Sequence, residues 1–429
     1  MHEFPVPARS RAPRSKANVR KSSVDDVIRA NNPKVATIIV LLLLWCLGDI
    51  FIWIVTPLYF VGNSAFDAIQ EQMGPKIAFF AACYCATLFI GWKYFRAIWA
   101  IGESSDTLRT PHMLALICIV FIVTYNIAFL LLGGLTWRET YGNLITGSQL
   151  IYYLRALEGV PLIACMVLVC RGHRVPILAG IIVASYVGLQ LLGSNRGIAF
   201  AALVAMGLMR LDLLRRHWRA ASVFGFAAFL VFTAIGVQRE WRAAGGSGLV
   251  QTQYLSGAAV NSTMFRLSEY YGHIVFNRSS NEGFVREPFR NFDRIPLAFV
   301  PAVAASSKRP LDDGPETLRT QFGFVNVGTF LSIPITLVGD TYLRFGFWGS
   351  FVYALYIGGI LILWTAIAGR FSGGWMSLIL IYVFVHLIRL YPNSFLGAIN
   401  FLIYKPARDL LLFGLLGLAA AACVRLRRS

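Results

Sequence analysis

The segment from Ala36 to Phe60 reads ATIIVLLLLWCLGDIFIWIVTPLYF and is almost entirely apolar. It exceeds the roughly 20 apolar residues that a helix needs to cross a bilayer, and Asp49 is its only charged residue. The polar segment before it, residues 1–34, carries eight Lys and Arg side chains. An apolar run this long, beginning this deep in the chain, does not fit the short core of a cleaved signal peptide. We therefore predict a disordered basic cytoplasmic tail followed by a first membrane-spanning helix.

The composition assigns the whole chain to the polytopic membrane proteins. Of its 429 residues, 57% are hydrophobic and 14% are charged, and the mean hydropathy is +0.62, far outside the range of soluble domains. A net charge of +18 would suggest nucleic acid for a soluble protein, but here Lys and Arg cluster between apolar runs. This pattern indicates topology, so we expect no nucleic-acid partner. The basic tail has binding of anionic membrane lipids as an alternative role.

The predicted fold class is an all-α integral membrane protein with about ten transmembrane helices. The apolar runs that predict spans are residues 36–60, 77–97, 112–133, 151–170, 175–193, 197–214, 220–237, 343–369, 374–388 and 409–425. With the tail inside, the predicted cytoplasmic segments hold 21 Lys and Arg and the short external loops hold 6. This asymmetry satisfies the positive-inside rule, and it predicts that both termini are cytoplasmic.

This topology divides the chain into five parts. They are the tail 1–34, a seven-helix bundle 35–237, a large external loop 238–342, a three-helix membrane part 343–425 and a cytoplasmic end 426–429. The loop holds ten basic and nine acidic residues, a balance that suits a folded piece outside the membrane. Its apolar segments 295–305 and 328–339 are too short or too interrupted to span, and we expect them to be interfacial or re-entrant.

Seven charged residues fall in the outer half of the membrane under this topology: Asp49, Arg155, Glu158, Arg196, Asp340, Arg344 and Arg389. A charge within a span costs about 2.5–3.5 kcal/mol at mid-helix, so their gathering at one face predicts a shared site. Simpler interpretations stay open for single residues. Arg155 and Glu158 have the spacing of a salt bridge on one helix. Arg344 and Arg389 suit interfacial anchors, and Asp49 suits a hydrogen bond to a neighbouring helix.

The external loop contributes the segment MFRLSEYYGHIVFNR, residues 264–278, which carries further candidate residues. Arg266, Glu269, Tyr270 and His273 would share one polar face of a helix. An amphipathic surface helix is one interpretation. The other is a cap helix that closes over an anionic head group and presents a carboxylate or an imidazole to it.

The sequence favours a site without a metal or a cofactor. It contains no phosphate-binding loop, no nucleophile elbow and no HExxH motif. The pairs Asp312–Asp313 and Asp67–Glu71 are weak candidates for holding a divalent cation, so we expect arginines to carry the charge of a phosphate. The seven cysteines include no CxxC pair, and we expect neither a disulfide framework nor a zinc site.

Three segments resemble the Wzy-type polymerases, which join the repeat units of O-antigens and exopolysaccharides. They are GSNRG at residues 193–197, GDTYLRFGFWGSFVYALYIGGIL at 339–361 and IRLYPNSFLGAINFLIYKPARDLLLF at 388–413. The residues that match motifs of this family are Arg196, Gly339, Tyr342, Gly346 and Arg389. The loop 295–318 is similar to a proline-containing loop of the family but departs from it, because Arg309 separates Lys308 from Pro310.

The resemblance implies glycosyl transfer at the outer face of the bacterial inner membrane. A glycan on undecaprenyl pyrophosphate would move to a sugar hydroxyl of the next lipid-linked repeat unit, with a chain-length regulator as a further partner. Arg196 and Arg389 would bind pyrophosphate, supported by Arg344. Arg155, Arg266 and Tyr342 are further candidates for substrate contacts. Glu269, His273 and Asp340 are candidates for the general base.

Other functions stay open. An O-antigen ligase has a similar architecture and a different acceptor, lipid A core. An acyltransferase fits less well, because no histidine-based motif stands out in the cytoplasmic loops. A flippase or another transporter would place charges along a path through the membrane, whereas this sequence concentrates them at one face.

Overall fold

A computed structural model describes most of the predicted membrane part and pieces of the loop. The described residues are 23–30, 34–103, 112–133, 156–170, 177–192, 196–211, 216–219, 269–281, 286–298, 309–323, 335–371 and 373–426, with isolated positions at 32, 154, 222–223, 234 and 264. Their regular structure is helical throughout, and no strand occurs among them. Arg155 and Arg266 lie outside the described residues.

The described part of the chain contains eighteen α-helices, numbered in chain order. The N-terminal ones are α1 Val24–Ala30, α2 Val35–Ile50, α3 Thr56–Tyr59, α4 Asp67–Gln70, α5 Met73–Ile90, α6 Trp92–Glu103, α7 His112–Leu131, α8 Gly159–Val169, α9 Ile177–Leu192 and α10 Arg196–Met209. The later ones are α11 Tyr270–Ser280, α12 Arg294–Ala298, α13 Gly314–Phe322, α14 Leu337–Phe345, α15 Gly349–Ala368, α16 Gly374–Ile388, α17 Gly397–Ile399 and α18 Lys405–Leu426.

Within the described residues, four helical stretches are long and apolar enough to cross a membrane: Thr37–Tyr59, Met73–Ile90, Met113–Leu131 and Leu337–Ala368. Four shorter apolar helices accompany them: Gly159–Val169, Ile177–Leu192, Gly197–Met209 and Gly374–Ile388. The predicted span 409–425 falls within α18, and the predicted span 220–237 lies largely outside the described residues. The described part of the chain is therefore an all-helical, membrane-type bundle. The count of ten spans and the external position of the loop stay predictions.

Helix α16 occupies the centre of the bundle. It is apolar on all sides, as expected of a helix enclosed by others, and it is buried over almost its whole length. It packs against α2, α6 and α15 on one side and against α8, α10 and α18 on the other. Its C-terminal end therefore reaches a point where several helix ends meet.

Two helices contain a π-helical segment, Phe51–Val55 after α2 and Asn400–Tyr404 before α18. Pro57 and Pro406 follow these segments, and a proline has no N–H to donate to the preceding turn. Side chains from other helices bind the carbonyls that this leaves open. His273 Nε2 lies 3.0 Å from the Ile52 carbonyl, and Trp364 Nε1 donates to the Leu402 carbonyl at 2.7 Å.

The predicted eighth span, 343–369, is divided in the structure. Helix α14 ends at Phe345, and α15 starts after a 3₁₀ turn in which Gly346 has a φ of 61°. A side chain at Gly346 would also collide with Arg286, whose Cζ lies 2.7 Å from an ideal Cβ position. With 20 residues, α15 alone is about 30 Å long, enough to cross a bilayer. Asp340 and Arg344 therefore precede this helix and do not begin it.

The predicted helix over residues 264–278 is also corrected. Helix α11 starts at Tyr270, and Glu269 before it has left-handed backbone angles, φ 45° and ψ 55°. Because a right-handed helix cannot pass through such a residue, Glu269 and His273 do not share a continuous helical face. The surface-helix interpretation is wrong as well, since α11 is buried at six of its eleven residues and packs against α14 and α4.

Candidate functional site

Residues 389–397, RLYPNSFLG, connect α16 to α17 and are called the 389–397 turn below. Pro392 disfavours helical geometry in the residue before it, so α16 cannot continue into this segment. The Asn393 side chain donates to the Leu390 carbonyl at 3.1 Å and stabilises the bend. Three groups of charged residues that are distant in sequence meet around this turn.

The first group, the Arg389 cluster, consists of Glu158, Tyr382, His386, Arg389, Lys405, Arg408 and Asp409. Arg389 Nη2 donates to Glu158 Oε1 at 3.0 Å, and only 14% and 10% of the two side chains are exposed. This ion pair joins the end of α16 to the start of α8. An interfacial anchor would keep its charge in water, so that interpretation of Arg389 is wrong.

The start of α10 lies at the same place. An ideal Cβ at Gly197 would stand 3.5 Å from Arg389 Nε, an ordinary contact distance, so the two residues are neighbours. Arg196 is the first residue of α10, and its side chain lies outside the described residues. The predicted proximity of residue 196 to Arg389 is therefore seen in the backbone of α10.

Asp409 is fully occupied within the cluster. Its Oδ1 accepts from Arg408 Nη2 at 2.7 Å and from Arg408 Nε at 2.9 Å, and its Oδ2 accepts from the Tyr382 hydroxyl at 2.8 Å. Arg408 also donates to the carbonyl of Ala156, just before α8. A side chain at Gly159 would overlap with both Asp409 and Tyr382. These contacts hold α8, α16 and α18 at a fixed spacing.

Other polar atoms of the Arg389 cluster have no partner in the part of the chain that the structure describes. Both ring nitrogens of His386 are unpaired although only 2% of this residue is exposed, and Arg389 Nη1 is buried and unpaired. The Lys405 ammonium has one contact among the described residues, the ring of Phe401 at 4.3 Å from its centroid. A buried donor without a partner is costly.

The charges of the cluster do not balance. Three cations, Arg389, Lys405 and Arg408, face two carboxylates, Glu158 and Asp409, among the described residues. An excess positive charge within a helical bundle requires compensation. Together with the unpaired donors, it makes the Arg389 cluster a candidate binding site for an anion.

The second group, the Arg344 network, consists of Arg290, Asp313, Asp340 and Arg344, and its charged groups are paired. Arg344 is fully buried. It donates from Nε to Asp340 at 3.0 Å, from Nη2 to Asp313 at 2.7 Å and from Nη1 to the Arg290 carbonyl at 2.8 Å. Burial by itself raises the pKa of Asp313, but the positive charge of Arg344, with help from Asn291 and Arg290, outweighs it and lowers this pKa.

The Arg344 network also holds the 389–397 turn. Asp340 Oδ2 accepts from the backbone N–H of Phe395 at 2.8 Å, while Oδ1 accepts from Arg290 at 3.3 Å. Arg344 has a partner at each nitrogen and Asp340 at each oxygen. The interfacial-anchor interpretation of Arg344 is therefore wrong, and the predicted base Asp340 is engaged in structural bonds on both oxygens.

The third group surrounds Asp49, which is buried in the first membrane helix. Asp49 accepts from Trp53 Nε1 at 3.1 Å and from the Tyr84 hydroxyl on α5. The predicted hydrogen bond to a neighbouring helix is confirmed. The Tyr391 ring packs on the adjacent Gly48, 2.6 Å from an ideal Cβ position, and so links this group to the 389–397 turn.

Glu269 lies beside Asp49 and differs from the other two candidates for a base. Burial raises its pKa to about 8, and the negative charge of Asp49 adds to this effect. Its side chain is partly exposed. His273, in contrast, is fully buried, with Nε2 at the Ile52 carbonyl and its ring 4.9 Å from that of Trp53.

Tyr342 belongs to the packing core beside this group. Its ring is stacked on Phe276 with centroids 3.9 Å apart, and the guanidinium of Arg286 lies 5.3 Å from its ring centroid. The residue is 3% exposed. Its position supports the contact between α11 and α14.

The structure thus brings five of the seven predicted charges to one turn: Asp49, Glu158, Asp340, Arg344 and Arg389. It divides them among three groups and not one. Sequence reasoning missed His386, Lys405, Arg408 and Asp409. A signal existed, because His386 precedes Arg389 by three residues and Lys405 precedes Arg408 by three, the spacing of neighbours on a helix face.

Comparison with known proteins gives no match for this chain. No protein-family model matches it, and no curated protein or solved structure is significantly similar to it. The function is therefore inferred from the residues of the site itself.

Proposed function

We propose that this chain is a membrane glycosyltransferase that joins oligosaccharide repeat units carried on undecaprenyl pyrophosphate. The observation that carries the proposal is the set of buried polar atoms in the Arg389 cluster that have no hydrogen-bond partner among the described residues, Arg389 Nη1 and the two His386 ring nitrogens, beside the Lys405 ammonium on the Phe401 ring. A pyrophosphate supplies negative charge and several acceptor oxygens to such donors. The resemblance of the segments at 193–197, 339–361 and 388–413 to Wzy-type polymerases supports the same function.

In the proposed reaction, a sugar hydroxyl of the acceptor attacks the anomeric carbon of the donor glycan. The bond between that carbon and the phosphate oxygen breaks, and the lipid pyrophosphate leaves with the bonding electrons. Arg389 and Lys405 stabilise the negative charge that develops on this oxygen. Side-chain cations thereby do the work that a metal ion does in other transferases.

The proposal includes a cellular setting. The reaction takes place at the outer face of the bacterial inner membrane, and both termini of the chain are cytoplasmic. Donor and acceptor are lipid-linked oligosaccharides, and a chain-length regulator is an additional partner. The Arg389 cluster, at the ends of α8, α10 and α16, then lies at the depth of lipid head groups.

A binding experiment tests the anion site. We expect undecaprenyl pyrophosphate to raise the unfolding temperature of the detergent-purified protein more than undecaprenyl phosphate does, and undecaprenol to leave it unchanged. Arg389→Ala and Lys405→Ala should each weaken binding of the pyrophosphate at least tenfold, about 1.4 kcal/mol. Arg370→Ala and Lys93→Ala are matched controls, because both side chains are exposed and lie outside the cluster. Unchanged binding by Arg389→Ala would contradict the proposal.

A reaction assay separates the polymerase from the alternatives. Purified protein is incubated with lipid-linked repeat units in a metal-free buffer. Longer lipid-linked glycans indicate a polymerase, and transfer only after addition of lipid A core indicates a ligase. Movement of the intact lipid across vesicles with no new glycosidic bond indicates a flippase. The meeting of the charged groups at one turn favours a transferase, since a transport path needs polar groups across the membrane.

A further inference from the structure

Glu269 combines three properties that its neighbours lack. Its backbone has left-handed angles, φ 45° and ψ 55°, which are unfavourable for a residue with a side chain. Its carboxylate accepts no hydrogen bond and forms no ion pair with any described residue, and its side chain is partly exposed. Strained residues of this kind cluster at functional sites, because the surrounding structure must hold them in place.

The elements around Glu269 supply the titratable groups that face it. Asp49 on α2 has both oxygens occupied, by Trp53 and by Tyr84 of α5. His273 on α11 is turned to the Ile52 carbonyl. Among the charged groups that the structure describes, Asp49 is the one that acts on the pKa of Glu269, in addition to the larger effect of burial.

The link from Glu269 to the Arg389 cluster is short. Tyr391 packs on Gly48, next to Asp49, and stands two residues after Arg389. Two peptide units span at most about 7 Å between Cα atoms. The Arg389 cluster and the group that contains Asp49 and Glu269 are therefore joined through the same short turn.

We infer that Glu269 is the proton acceptor for the attacking sugar hydroxyl and that Asp49 is a positioning residue that tunes it. The inference rests on the proposed function. As the hydroxyl oxygen bonds to the anomeric carbon, its proton moves to the Glu269 carboxylate. The lipid pyrophosphate leaves with the electron pair, and Glu269 later releases the proton to water.

A substitution at Glu269 tests the catalytic part. Glu269→Gln should lower the turnover number at least a hundredfold, within the range of general-base contributions, while binding of undecaprenyl pyrophosphate stays unchanged. Glu287→Gln is the matched control, because Glu287 is exposed and outside the Arg389 cluster. Turnover by Glu269→Gln within threefold of the original protein overturns the inference. If the unsubstituted protein does not bind undecaprenyl pyrophosphate, that result contradicts the proposed function instead.

A labelling experiment tests, without any turnover, whether Asp49 raises the pKa of Glu269. Hydrophobic carbodiimides modify protonated carboxyl groups, and mass spectrometry reports modification of Glu269 as the pH is raised. We expect modification to fall around pH 8, and to fall at lower pH in Asp49→Asn, because the neighbouring negative charge is gone. The ascending limb of the pH–turnover profile should shift in the same direction. An unchanged labelling profile in Asp49→Asn excludes the role given to Asp49.

Discussion

At the scale of the residue, the buried arginines of this protein are of two kinds. Arg344 has a partner at each guanidinium nitrogen and connects segments of the chain. Arg389 has a buried nitrogen without a partner. From the sequence alone both residues have the same predicted role, because each stands beside an apolar run. Only the folded structure shows which of them has capacity left for a ligand.

Gly159 allows a test of the close packing within the Arg389 cluster. Gly159→Ala should lower the free energy of unfolding by about 1–3 kcal/mol, since the new methyl group overlaps with Asp409 and Tyr382. The measurement is denaturant or thermal unfolding in detergent. Gly180→Ala on α9 is the control, because a Cβ there has no neighbour within 4 Å. We expect the control to be neutral or slightly stabilising. Equal effects of the two substitutions would contradict the packing described here.

At the scale of the element, the 389–397 turn is held by helices that are distant in sequence. The N–H of Leu337 donates to the Tyr391 carbonyl at 3.0 Å, and Asp340 accepts from Phe395. Helix α14 is thus part of the framework that sets the position of Arg389. A change in the Arg344 network should weaken this framework.

Breaking the Arg344 network should destabilise the protein in a pH-dependent way. Arg344→Ala removes the closer cationic partner of the buried Asp313 and Asp340 and leaves them Arg290 at 3.5 and 3.3 Å, which costs about 3 kcal/mol of unfolding free energy near pH 7. The lowered pKa of Asp313 means that its contribution is complete above its unfolded pKa, about 3.9. That contribution is lost as the pH falls through the folded pKa.

The measurement is unfolding temperature from pH 7 down to about pH 2, which reaches below the unfolded pKa of Asp313, with Asp313→Asn for comparison. The difference between the original protein and Asp313→Asn should be largest near pH 7 and should narrow in acid. Asp293→Asn is the control, because Asp293 is exposed and outside the network. A difference that is constant with pH would exclude the charge effect.

The sequence predicts some elements well and others not at all. Long apolar runs identify α2, α5, α7 and α15, because a bilayer imposes a minimum length. The break at Gly346 was missed, since a glycine within an apolar run is compatible with a continuous helix. The left-handed backbone of Glu269 was missed because it depends on tertiary contacts that no periodicity reports. Lys405 and Arg408 fall in a predicted loop, and the contact of Arg408 with the Ala156 carbonyl comes from a segment distant in sequence.

At the scale of the whole molecule, charged groups concentrate at the 389–397 turn, while α1 and α6 pack together elsewhere through an exposed Lys93–Asp25 ion pair. In the predicted topology these two regions lie on opposite sides of the membrane. Arg309, with 71% of its side chain exposed, belongs to the loop predicted to be external. Arg370, also exposed, belongs to a segment predicted to be cytoplasmic.

Single cysteines test this orientation. In intact spheroplasts, a membrane-impermeant maleimide should label Arg309→Cys and should label Arg370→Cys only after lysis. The original protein is the control for its own cysteines, of which Cys85 is exposed. Labelling of Arg370→Cys in intact cells would reverse the topology and place the Arg389 cluster in the cytoplasm.

The π-helical segment Asn400–Tyr404 sets the rotation of α18, the helix that carries Lys405 and Arg408. A π turn accommodates one residue more than an α turn, and each residue of an α-helix advances the direction of its side chain by about 100°. The directions in which the Lys405 and Arg408 side chains point therefore depend on the number of residues in the π-helical segment that precedes α18. Deletion of one residue from this segment would keep all residues of the Arg389 cluster but would rotate Lys405 and Arg408 away from Arg389.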